Sequence, residues 1–170
     1  MRPRPVLLLL ALLLASLPAA THAATARGKA AKALKTLIIR PMDAPAECSL
    51  EWRSTPYWLK PGGRLLETVV AGWIGTDAGI TPESLRLGIS GVYFESETHT
   101  FAIIGFDFKT EKDAMTAEKS LSDRFAGKTE HRFVRKGTYV VVFALPSPTN
   151  SACANWMWEE LGRRLQKVAP

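Results

Sequence analysis

The sequence predicts an α+β protein, a mostly antiparallel sheet with helices packed on it. Three observations predict it. Apolar runs at residues 91–95 and 101–108 flank the polar stretch 96–100, the pattern of a hairpin. Two further strand patterns, 131–135 and 138–145, meet at Lys136-Gly137. Helical patterns follow each pair, so the order after Gly91 reads β-β-α-β-β-α.

The chain has 170 residues, 46% apolar and 22% charged, close to the averages of a globular protein. That excludes collagen, a polar disordered chain and a multi-span membrane protein. Two cysteines exclude a disulfide-dense miniature scaffold and any four-cysteine metal site.

From the start of the chain, Arg2 and Arg4 precede an apolar stretch of 12 residues, 6–17. Pro18 and small residues ending Thr21-His22-Ala23 follow it, so residues 1–23 read as a signal peptide cleaved near Ala23. Twelve apolar residues fall short of the roughly 20 needed to span a bilayer as helix. The mature chain is expected to be exported, periplasmic or secreted, with no transmembrane segment. Residues 24–36 are small, basic and alanine-rich, and read as a flexible tail. One globular domain, residues 37–170, is expected beyond it.

The net charge of +6 arises from six basic residues and no acid in positions 1–36. The remaining 16 Lys plus Arg balance 16 Asp plus Glu, so no basic patch on the body argues for nucleic acid.

Within the domain, residues 37–40 read as a short strand stopped by Pro41. Residues 41–63 hold Pro41, Pro45, Pro56 and Pro61 and read as an irregular arm anchored by Trp52 and Trp58. Leu65, Leu66, Val69, Val70, Trp73 and Ile74 recur as on one helix face, and Gly75 stops them. Thr81-Pro82-Glu83 is a helix-start signature, yet Leu85, Leu87 and Ile89 alternate like a strand, so a short turn running into a strand is expected. Thr110 with Asp113 forms a capping-box start, and Gly127 closes that helix. The run Tyr139 to Leu145 is apolar without alternation, which requires cover on both faces. Residues 151–168 form the terminal helix.

Cys48 and Cys153 are the only thiols of an exported chain, and a structural disulfide is the expectation. Trp156 falls among Glu159, Glu160, Arg163 and Lys167 on the polar side of the terminal helix. Either the arm covers this indole, which the Cys48–Cys153 link favours, or it contacts a ligand together with Trp52 and Trp58. Glu95, Glu97 and His99 alternate in the hairpin, with Asp107 nearby, and form the candidate metal or acid–base cluster. No G-x-S-x-G, H-E-x-x-H, P-loop or G-x-G-x-x-G occurs, so no catalytic residue is assigned and no cofactor is expected.

The run from Phe101 to Val168, with Arg135-Lys136-Gly137-Thr138-Tyr139 after a helix, resembles small extracytoplasmic α+β modules such as PsbP-like accessory domains. Its β-α-β-β-α order is also similar to the peptidoglycan-binding SPOR fold. Both resemblances cover under half of the chain and imply fold alone. The functional expectation is a non-catalytic exported binding or accessory protein of the cell envelope, its partner an envelope protein, a glycan or an apolar ligand. The alternative is a small hydrolase or metal-dependent enzyme using Glu95, Glu97, His99 and Asp107.

Overall fold

Strands that are apolar at every position have no face to give to water, so a sheet built on them must be covered twice. The computed structural model, which describes residues 17–75, 79–95, 99–129, 131–145 and 151–168, has that arrangement. Strands β1 (Glu51–Leu59), β2 (Leu85–Phe94), β3 (Thr100–Phe108), β4 (His131–Lys136) and β5 (Tyr139–Ala144) form one antiparallel sheet. Their order is β1-β2-β3-β5-β4. The α+β class therefore holds, and β5 occupies the interior position that its unbroken apolar run requires.

Side chains divide by parity. Phe101, Ile103, Val141 and Phe143 enter one core with helices α1 (Leu17–Leu37) and α4 (Ala152–Lys167). Ala102, Ile104, Phe106, Val140 and Val142 enter the other. That second core is closed by α2 (Arg64–Val69), prolonged by a π-helical turn Val70–Ile74, and by α3 (Glu111–Arg124). In β2 the register breaks between Leu85 and Leu87, and the two leucines go to opposite cores. Lys136 and Tyr139 pair across the β4–β5 turn, where Gly137 has φ of 56°, a conformation that costs glycine little.

Three expectations are corrected. Residues 24–36 are not a flexible tail but most of α1. Ala30, Leu34 and Leu37 lie at i, i+4 and i+7, are buried, and form the stripe that closes the first core. β3 admits this close approach at Gly105, where an added Cβ would stand 3.2 Å from Leu34 Cδ2. Residues 37–40 form no strand: Leu37 ends the helix, and Ile38 and Ile39 fill the core as irregular chain. The arm at residues 41–63 is not irregular throughout, because it contains β1. Pro56 and two register breaks obscure that strand's alternation, and an edge strand tolerates both. The region around residues 81–89 follows the expectation, a turn at 82–84 entering β2.

Two helices finish on basic side chains from elsewhere in the fold. Arg164 of α4 donates to the carbonyls of Thr36 (3.2 Å) and Ile38 (2.9 Å) at the end of α1. Lys136 of β4 donates to those of Gln166 (2.6 Å) and Val168 (2.8 Å) at the end of α4. Unpartnered terminal carbonyls and the negative end of the helix dipole are satisfied together.

Candidate functional site

The candidate cluster Glu95, Glu97, His99 and Asp107 is not assembled. Glu95 and His99 flank the hairpin turn, 3.7 Å apart, and Glu95 accepts a hydrogen bond from Ser151 at the start of α4. Asp107 lies at the far end of β3, seven residues beyond Thr100, or roughly 20 Å or more along the strand. There it is fully buried and accepts from Arg86 (2.5 Å) and Thr138 (2.7 Å). Glu97 lies outside the described residues. Among the described residues no group of three His, Cys, Asp or Glu side chains could hold a metal ion. The reason is register: Asp107 pairs with Leu87, whereas Glu95 follows Phe94, the residue opposite Thr100.

The cysteines and tryptophans do converge. Cys48 and Cys153 form a disulfide at the edge of the first core. It brings the chain just before β1 against the first turn of α4. Trp52 and Trp58 then face the α1/α4 side of the sheet, opposite Tyr93 and Ile89, and Trp52 packs on the Tyr93 ring at 5.7 Å. Trp156 falls between the two expectations, neither fully buried nor fully exposed. It is half-buried and lines a groove of about 1170 Å³ with Trp52, Trp58, Pro56, Ile38 and Ile89. The polar side of α4 is the wall of this groove: Trp156, Glu160, Arg163 and Lys167 follow one another at helical spacing along it.

Charge is distributed unevenly around the opening. Lys35, Arg40, Arg163, Arg164 and Lys167 face two carboxylates, Asp43 and Glu160, leaving a net of +3. Arg164 is tied to Glu160 (2.6 Å) and Asp43 (3.1 Å), Arg163 to Glu160, and Arg40 to Asp43 (2.8 Å). Burial opposes the charge of Glu160, but hydrogen bonds from Arg163 and Arg164 outweigh it and hold the carboxyl below its usual range. The Arg40 hydrogen bond, helped by Arg164 and opposed by burial, brings Asp43 down from an ordinary 3.8 to about 2.

A pH dependence follows. Asp43 binds protons less readily folded than unfolded, so its ion pairs contribute stability that is fully present above 3.8. That contribution is lost as pH falls from there through about 2. Asp43→Asn should lower stability at neutral pH and flatten the corresponding part of the acid unfolding curve. An acid profile identical to that of the native chain, followed by circular dichroism, refutes the assignment.

Sequence reasoning singled out all three groove tryptophans but not their setting. It missed Ile38, Arg40 and Asp43, which sit in the irregular link after α1, and Arg164, which reads as an ordinary exposed helix residue. The spacing of Ala30, Leu34 and Leu37 was the available signal for α1, and hence for this wall of the groove. No family model, curated protein or solved structure matches this chain.

Proposed function

We propose that this chain is an exported, non-catalytic binding protein of the cell envelope, and that the tryptophan-lined groove is its ligand site. One observation carries the reading. Three indoles from two elements more than 90 residues apart converge on one concavity of ligand-binding size. Half-buried aromatic rings in a concave wall offer apolar area at low entropic cost, the property of ligand-contact residues. The Cys48–Cys153 disulfide fits an oxidising compartment outside the cytosol. Cleavage after Ala23 removes the first seven residues of α1 and keeps Ala30, Leu34 and Leu37, so export is compatible with the fold. Among the described residues no helix is long and apolar enough to cross a membrane.

The test is titration with anilinonaphthalene sulfonate, an amphipathic dye that accepts energy from nearby indoles. Saturable binding with energy transfer is expected, and Trp156→Leu should weaken it while leaving the melting temperature of the protein within a few degrees. Affinity unaltered in both Trp156→Leu and Trp58→Leu overturns the site.

A further inference from the structure

The groove has a direction. Its indoles stand near the start of α4 and on β1, and its cations near the ends of α1 and α4. Along α4, Trp156 and Lys167 are 11 residues apart, roughly 16 Å of helix. The cations are not equivalent. Arg40, Arg163 and Arg164 are engaged by Asp43 and Glu160. The side chains of Lys35 and Lys167 make no ion pair or hydrogen bond among the described residues. Beyond Thr36 and Lys167 the surface continues into a second concavity lined by Lys29 and Lys32, and by Arg86, which Asp107 neutralises. The two lysines face no acid in its lining, so positive potential extends past that end.

Resting on the groove as ligand site, we infer that its occupant is a single-chain amphiphile with a carboxylate end. The apolar body lies on Trp52, Trp58 and Trp156, and the carboxylate is held between the ammonium groups of Lys35 and Lys167. A concave aromatic floor with one cationic end matches one apolar chain and one anion, and the spacing matches an extended acyl group of medium length. A bilayer surface requires projecting apolar side chains instead. Among the described residues the exposed large apolar side chains, Met42, Leu65 and Met115, lie on separate elements: the link after α1, α2 and α3.

Dansyl-aminoundecanoic acid and its methyl ester distinguish the outcomes. The acid should bind about tenfold more tightly than the ester, the value of a charge-assisted hydrogen bond. High salt should narrow that gap, and Lys35→Gln/Lys167→Gln should abolish it while the ester's affinity stays the same. Equal affinity for acid and ester overturns the inference, yet leaves the groove reading intact if the sulfonate dye still depends on Trp156. A gap that survives the double lysine variant also overturns it. So does binding of vesicles containing anionic lipid without binding of the monomeric acid.

Discussion

Replacing Cys48 and Cys153 together by serine should lower the free energy of unfolding by about 3–5 kcal/mol. The bridge joins residues 105 apart in sequence, and the enclosed chain contains all five strands. Cutting it returns that length of chain to the entropy of an unconstrained denatured state. Against a typical domain stability of about 5–15 kcal/mol, the loss consumes a large share of the margin. The native fold makes the effect more than entropic, since Cys48 and Cys153 are both buried in the first core. Guanidinium unfolding of the double variant, set beside that of the native chain with and without reductant, measures it. A midpoint shared by oxidised protein, reduced protein and the double variant refutes the prediction.

Leu34→Ala should cost about 2–5 kcal/mol, and deletion of residues 24–36 should abolish cooperative folding. Leu34 is fully buried over Gly105, and with Leu37 and Ala30 it covers Ile89, Ile103 and their neighbours on the open face of the sheet. Removing residues 24–36 exposes the part of that face that α1 covers beside α4, and takes from Arg164 the Thr36 carbonyl, one of its two carbonyl partners. The double substitution Lys29→Gln/Lys32→Gln supplies the contrast, because exposed positions of the same helix should change stability by less than about 0.5 kcal/mol. Thermal melts of the three variants decide between a structural helix and a dispensable tail. Equal melting temperatures for the native chain and the deletion variant leave α1 with no structural role.

Much of the fold was legible because its signals are local. The β2–β3 and β4–β5 hairpins, the capped start of α3 at Thr110 and the two-sided burial of β5 follow from residues close in sequence. A lone cysteine pair pointed to its own bond. These features need only short-range periodicity and turn chemistry.

What the tertiary structure decided concerns groups distant in sequence. Residues 24–36 carry one strong apolar marker, Leu34, and become helical core because the sheet presents an uncovered face at Gly105. β1 keeps its strand geometry despite Pro56 because it lies at an edge, where one side of the ladder has no partner to lose. Alternation grouped Glu95, Glu97 and His99 in the hairpin with Asp107 nearby, but antiparallel register sets Glu95 and Asp107 at opposite ends of the β2–β3 pair. The groove is the clearest case: the helical wheel singled out Trp156, and the arm tied by the Cys48–Cys153 link singled out Trp52 and Trp58. Only the disulfide, the course of β1 and the packing of α4 against α1 bring them to one wall beside Lys35 and Lys167. Local pattern determines which elements form, whereas a binding surface depends on which of them close over one another to bury apolar area.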